Sequence, residues 1–189
     1  MTDGITQKAP FRFRFQEDKA TDAATRILMR HNGRMTRLHL IKLMYFAERK
    51  AAQLHNRPIC GGRYVSMDNG PVLSEVYSLI KGECPGQVWR ERIETQGARD
   101  VVLIRESAPS ALSEAEVDVL DSVCDEWEGR DLSDILDHSH DLPEWQNPHG
   151  SSRQIEHTVF LQAINKTPKE IQGIGIEVEE ENYFHRLFA

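Results

Sequence analysis

The chain has 189 residues, of which 39% are hydrophobic and 28% charged, and its 23 Lys/Arg against 30 Asp/Glu give a net charge of -7. That length holds one domain with a real core, and the composition is that of a well-solvated globular protein. No stretch approaches the ~18 apolar residues needed to cross a bilayer, and the opening MTDGITQKAP lacks the apolar run of a secretory signal, so a cytoplasmic location without a membrane partner is expected.

Cys60, Cys84 and Cys124 are odd in number, widely spaced and in no CxxC pair, which argues against a disulfide framework or a zinc knuckle. Charge is unevenly placed. Residues 1–60 carry twelve Lys/Arg against five Asp/Glu, and residues 61–189 carry eleven against twenty-five, so the first part is +7 and the rest -14. Either basic N-terminal helices lie beside acidic C-terminal ones in the same fold, or the basic part faces an acidic partner.

Phe11, Phe13 and Phe15 alternate with Arg12 and Arg14, the period of an extended segment burying one aromatic face. From Glu17 to His31, Ala20, Ala23, Ala24, Ile27 and Leu28 recur at helical spacing, and Asn32-Gly33 stops the run. Thr36 can cap a second helix whose Leu40, Leu43, Met44, Phe46 and Ala47 form a broad apolar face, which predicts a central core helix. After Asn56-Arg57-Pro58 and the Gly61-Gly62 turn, Tyr64 to Met67 reads as a short strand. Gly70-Pro71 then reads as a corner with Pro71 in the first helical position of a helix over Val72 to Ile80.

Trp89 to Glu94 and Val101 to Arg105 read as a hairpin that forms a small antiparallel sheet with the Tyr64 strand. Ser113 and Glu116 make a capping box ahead of the stripe Val117, Leu120, Val123, Cys124 and Trp127. A short helix over Leu132 to Asp137 leads to the Pro143-Glu144-Trp145 turn, and Gln154 to Asn165 reads as a further helix. Thr167-Pro168-Lys169-Glu170 signals another helix start, and the Glu177 to Glu181 run heads a last turn with Phe184, Leu187 and Phe188. The expected fold class is α+β, a mainly helical single domain with a small antiparallel β-sheet.

The residues carry no catalytic template. His138 and His140, the densest pair among eight histidines, are two apart and project to different faces of a helix, whereas a helical zinc pair needs i and i+4. His140 reads as a capping or packing group that anchors the Pro143-Trp145 turn. GxSxG, GxxxxGK[ST] and GxGxxG are all missing, and none of the cysteines sits in a nucleophile signature. No enzyme activity and no cofactor is expected, with a metal-dependent enzyme around His138 and His140 as one alternative. A DNA-binding repressor is the other: two helices meeting near Asn32-Gly33 with Arg30, Arg34 and Arg37 at the turn could face DNA. Against it, Tyr45 and Phe46 belong in a core, so nucleic acid ranks below a protein partner.

Lys42 to Ala47 (KLMYFA), Pro58-Ile59, Tyr64 and Gly70-Pro71-Val72, followed by the Leu112-Ser113 helix and the Ser139-His140 to Trp145 turn, resemble the Panacea domain of SocA-like antitoxins over roughly residues 15–165. Asn56 stands where that pattern usually has glycine, and Ser66 where alanine is common. The resemblance implies a mainly helical bacterial antitoxin that neutralises a cognate protein toxin by direct contact. It further implies a proteolytic adaptor delivering that toxin to a ClpXP-type AAA+ protease. Lys42, Tyr45, Phe46, Pro58, Tyr64, Gly70, Pro71, Val72, His140 and Trp145 are then the motif and structural residues, and Arg34, Arg37 and Arg49 of the basic part are the candidate toxin contacts. Residues 166–189 are left as a C-terminal helical extension, packed on the domain or flexible. Its end, Tyr183 to Ala189, reads either as a docking tail or, from the helical spacing of Phe184, Leu187 and Phe188, as a segment packed on the core.

Overall fold

The second helix is the axis of the structure, a computed structural model that describes residues 11–188. The N-terminal stretch read as lacking a secretory signal and the final Ala189 lie outside those residues. Helix α1 spans Glu17–Arg30, strand β1 Arg34–Thr36 and helix α2 Arg37–His55. The Thr36 hydroxyl caps α2 by accepting from His39 N at 3.3 Å, and Asn56 ends it in the left-handed region at φ 60. Eleven residues of α2 are buried, among them Lys42 and Glu48, so it is enclosed nearly all round and packs on α1 and on later elements. A recognition helix lying in a DNA groove would need one face open, which α2 does not have.

Strand β2 (Tyr64–Met67) and strand β3 (Gly70–Leu73) precede helix α3 (Ser74–Lys81), the one-turn helix α4 (Gln87–Arg90), and strands β4 (Ile93–Gln96) and β5 (Asp100–Leu103). Helices α5 (Glu114–Glu126) and α6 (Leu132–His140), strand β6 (Arg153–Ile155), helix α7 (His157–Ala163) and helix α8 (Pro168–Phe188) complete the described chain. The fold is α+β and mainly helical, with two small antiparallel sheets ordered β1-β5-β4 and β3-β2-β6.

Four local expectations are corrected. Gly70-Pro71 is not a corner opening a helix: Met67 pairs with Gly70 and Ser66 with Pro71, so Asp68-Asn69 is a two-residue hairpin turn and the helix starts only at Ser74. Pro71 is tolerated because β3 is an edge strand, where a missing N–H costs no ladder bond. The Tyr64 strand does not join the 93–103 hairpin but pairs with β3 and β6, while β1 completes the other sheet. Trp89 is a buried helical residue rather than part of a strand. The helix read over Gln154 to Asn165 is split, because Gln154 and Ile155 pair with Val65 and Tyr64 before α7 begins.

Local signals that do not depend on distant partners hold. Phe11 and Phe13 are buried while Arg12 and Arg14 are exposed. Ser113 and Glu116 form a reciprocal capping box, and Thr167 and Glu170 bond each other at the start of α8. The three thiols are free, Cys60 and Cys124 buried and Cys84 half-buried.

The uneven charge is largely absorbed inside the fold. Lys19 bonds Glu116 at 2.6 Å and Arg26 bonds Asp121 at 2.6 and 2.8 Å, while Arg30 pairs with Asp125, a ladder that fastens α1 to α5. Lys50 reaches Ser122 and Glu126 of α5, and Arg57 pairs with Glu181 of α8. Each such exposed or half-exposed pair contributes only ~0.2 to 1 kcal/mol, so the ladder fixes register more than it stabilises.

Candidate functional site

Four polar side chains of α2 tie three other segments of chain to the helix. Lys42, Tyr45 and Arg49 follow i, i+3, i+7 spacing, and Glu48 lies beside them. The Lys42 ammonium, fully buried, donates to the Pro71 carbonyl at 2.9 Å, and burial pulls its pKa down to about 7. Gly70 makes this approach possible. Its φ is +89, and a Cβ there would collide with Ser139 Oγ and lie 2.7 Å from Lys42 Nζ.

The Tyr45 hydroxyl and the Arg49 guanidinium converge on the buried Glu144: Tyr45 Oη donates to Oε1 at 3.0 Å, Arg49 Nε to the same oxygen at 2.6 Å, and Arg49 Nη2 to Oε2 at 3.3 Å. Burial, then the neighbouring carboxylate of Glu144, pushes the Tyr45 phenol well above its ordinary pKa. Glu48 accepts from Cys60 N at 2.6 Å, Gly61 N at 3.1 Å and Tyr64 Oη at 2.9 Å. Desolvation outweighs those three donors and raises its pKa to about 7. Gly61 has to be glycine for the loop to close here, since a Cβ would come within 2.6 Å of the Arg14 carbonyl oxygen. His157 completes this layer against the Tyr64 ring, with Nε2 2.9 Å from Gly62 O and its pKa lowered by burial to about 4.

His140 and Trp145 brace the tip of the β2–β3 hairpin. His140 Nε2 lies 3.0 Å from Asp68 O, its ring packs tilted against Trp145 with centroids 4.4 Å apart, and Trp145 Nε1 donates to Met67 O at 2.9 Å. His138 turns the other way and packs on Phe46 and Trp127, with ring centroids 5.1 and 4.9 Å apart. The two histidines therefore belong to separate aromatic clusters, and the described residues hold no group of three or more His, Cys, Asp or Glu placed to bind a metal ion. Tyr64, Pro71 and Val72 are buried in the same hairpin, and Pro58 is buried in the segment that follows α2. Thus Lys42, Tyr45, Tyr64, Gly70, Pro71, Val72, His140 and Trp145 come together around α2 and the hairpin as an internal framework, while Phe46 sits in the His138–Trp127 cluster.

Glu48, Glu144 and His157 are members of this framework that the sequence reading left out. Glu48 carried a signal, because it lies four residues after Met44 and seven after Ile41 on a face that is otherwise apolar. Glu144 carried none, since its role exists only once the turn after α6 meets α2.

The three candidate contact cations separate. Arg49 is held by Glu144. Arg34 and Arg37 are exposed, Arg34 bonding Asp100 at 3.0 Å and Gln96 at 3.3 Å. Arg37 borders a groove of about 650 Å³ whose floor includes Ile80, Trp89 and Ile93, with Lys81 and Arg90 on its rim. The Lys81 ammonium is ion-paired with Glu83, whose hydrogen bond holds its pKa above the ordinary value.

The family comparison fits this framework. The model of the family described as "Antitoxin SocA-like, Panacea domain" matches residues 40–146, from Leu40 in α2 to Gln146 just past the Trp145 turn. Neither the curated proteins nor the solved structures searched give a match. Packing extends the structural unit beyond the matched part, since α1 lies on α2 and β6 pairs with β2. More than half of the chain, including every residue that anchors the hairpin to α2, falls within the match: the chain belongs to the SocA-like antitoxin family with a Panacea domain.

Proposed function

We propose that this chain is the antitoxin of a toxin-antitoxin pair, a cytoplasmic binding protein rather than an enzyme, which neutralises a cognate protein toxin by direct contact. The observation that carries the reading is the family match over residues 40–146. The buried framework supports it, because Lys42, Tyr45, Glu48, Arg49 and Glu144 are engaged with one another or with backbone and serve to hold a rigid surface in place. A preformed surface loses little entropy on binding, which suits tight stoichiometric neutralisation. For the contact itself we favour the exposed Arg34 and Arg37 side with the adjoining groove, whose apolar floor is bordered by Arg37 and Arg90 as well as by Glu94 and so suits a protein surface that is apolar with some acidic groups.

The fuller form of the reading is an adaptor, in which the bound toxin is handed to a ClpXP-type AAA+ protease. Co-expression of the chain with the product of the neighbouring gene tests the first step: the two proteins should co-purify, and growth arrest by the neighbour alone should be relieved. A neighbour that is harmless, or that remains toxic and unbound, overturns the antitoxin reading. Degradation of the purified toxin by protease and ATP, with and without this chain, tests the second. A shorter toxin lifetime with the chain present supports delivery, and equal lifetimes leave masking alone.

A further inference from the structure

We propose, resting on the antitoxin reading, that the toxin docks by adding an extended segment to the free edge of β4, so that the β1-β5-β4 sheet gains a fourth strand. The hydrogen bonds of β5 show which way β4 faces. On one side β5 meets β1, through Leu103 N to Gly33 O at 2.8 Å and Arg37 N to Arg99 O at 2.7 Å, and on the other it meets β4, through Ile104 N to Arg92 O at 2.8 Å. Bonded and non-bonded positions alternate along an antiparallel pair, so Glu94 opposite Val102 and Gln96 opposite Asp100 continue the bonded set. Ile93 and Thr95 therefore turn their N–H and C=O away from β5.

Those outward groups have no partner among the described residues; the Thr95 hydroxyl, by contrast, donates to Ile80 O at 2.6 Å. Ile93 is 2% exposed and Thr95 half-buried, so the groups stand on a wall with restricted access to water, where unpaired backbone is costly. Strand β3, an edge of the other sheet, is closed by contrast: Pro71 has no N–H to offer, and its carbonyl accepts from Lys42 Nζ at 2.9 Å. The groove of about 650 Å³ gives an added strand a place to lie. Thr95 from the inner face of β4 and Glu94 from the outer face both border it, as a hollow running along a sheet edge requires. Ile80 and Trp89 floor it, and Ile104, 52% exposed, lies on its outer side where an incoming apolar side chain would cover it.

Charge selects the occupant. Arg37, whose N–H bonds the Arg99 carbonyl, marks the Gly97 end of the groove, and Arg90 marks the Ile93 end. The Arg37 guanidinium makes no hydrogen bond or ion pair with any described residue, and Arg90 Nη2 donates at 2.7 Å to the neutral carbonyl of Cys84. Lys81 is already matched by Glu83. Two uncompensated cations thus face one carboxylate on the groove, that of Glu94. At ~3.3 Å per residue, the four steps from Ile93 to Gly97 span about 13 Å. The segment that fits is therefore extended, apolar in its middle and acidic towards each end. An amphipathic helix laid in the same groove would leave the β4 backbone groups unpaired.

Amide exchange of the full-length chain read by NMR, alone and saturated with the purified product of the neighbouring gene, tests the proposal. Alone, the Thr95 amide should exchange faster than those of Glu94 and Gln96, and in the complex it should slow by at least about tenfold. Thr95→Pro deletes an outward N–H and no ladder bond, so it should weaken binding at least about tenfold, whereas Thr95→Val, which loses the hydroxyl alone, should bind as the wild type does. Glu94→Lys should speed association and Arg90→Glu should slow it. A Thr95 amide that is protected in the free chain, or that still exchanges freely in the complex, overturns the proposal, and so does a folded Thr95→Pro variant that binds normally. If Thr95→Pro does not fold, the exchange of the wild type decides alone. Binding without protection of Thr95 leaves the antitoxin reading standing, while a neighbour that does not bind at all overturns both.

Discussion

The Tyr45 hydroxyl donates to Glu144 Oε1 at 3.0 Å across 99 residues of chain, and the Arg49 guanidinium shares the same oxygen. This bond joins the axial helix to the turn that holds Trp145 against the β2–β3 hairpin. Removing one member of a buried charged group leaves the others desolvated and unmatched, which costs more than the pair itself contributes.

Glu144→Gln should therefore destabilise the chain by about 2 to 4 kcal/mol, and Arg49→Met by a similar amount. The double variant should lose clearly less than the sum, because the second change removes a charge that the first had stranded. Urea unfolding of the four proteins at one pH measures the coupling, and strict additivity would show that Glu144 and Arg49 do not act as a unit.

At Gly70 the left-handed φ and the contact with Ser139 reinforce each other. Gly70→Val should cost at least about 1 to 3 kcal/mol, and Gly70→Ala should be partly relieved by Ser139→Ala, which removes the oxygen that the new Cβ meets. Melting temperatures read this directly. An unchanged value for Gly70→Val would remove the argument that this residue keys the hairpin to α6 and α2.

The two buried α2 charges give opposite slopes with pH. Glu48 is held near pKa 7, above its ordinary 4.5, so between pH 4.5 and 7 the unfolded chain has released a proton that the folded chain keeps. Its contribution is full below pH 4.5 and is lost as pH rises through 7. Lys42 is held near 7, below its ordinary 10.5, so its contribution is full above pH 10.5 and is lost as pH falls through 7. Relative to Glu48→Gln, the wild type should lose up to about 3 kcal/mol between pH 4.5 and 7.5, at roughly 1.4 kcal/mol per pKa unit. Relative to Lys42→Met, it should gain stability from pH 7 to 10. Stability differences that stay flat over those windows would refute the assignments.

Reversing Arg34 and Arg37 to Glu should slow association with the toxin and weaken its salt dependence, while melting behaviour changes little because both side chains are exposed. Stopped-flow association at two ionic strengths measures both effects. Full neutralisation at an unchanged rate would place the contact surface elsewhere on the molecule.

The starts of α2, α5 and α8 were legible because the groups that decide them lie within four residues: Thr36 with His39, Ser113 with Glu116, Thr167 with Glu170. The apolar spacing of residues 40–47 likewise marked α2 as a core helix, and the KLMYFA and Gly-Pro-Val segments carried the family. Apart from the β4–β5 hairpin, whose two arms are close in sequence, strand partners were not legible. A three-residue strand such as β1 or β6 has too little pattern to declare itself, and it becomes a strand only because β5 or β2 offers it a free edge. The Gly70-Pro71 pair misled for the same reason: proline starts a helix or sits on an edge strand with equal ease, and the two-residue turn at Asp68-Asn69 settled which. Phe184, Leu187 and Phe188 were spaced to pack on the core, yet they are exposed, since the contacts of α8 up to Asn182 use its other face. Local chemistry thus fixed where α2, α5 and α8 begin and which helix is central. Tertiary packing alone decided that Lys42, Glu48 and Glu144 would be buried and matched, because a buried charge is tolerated only where distant parts of the chain bring it partners.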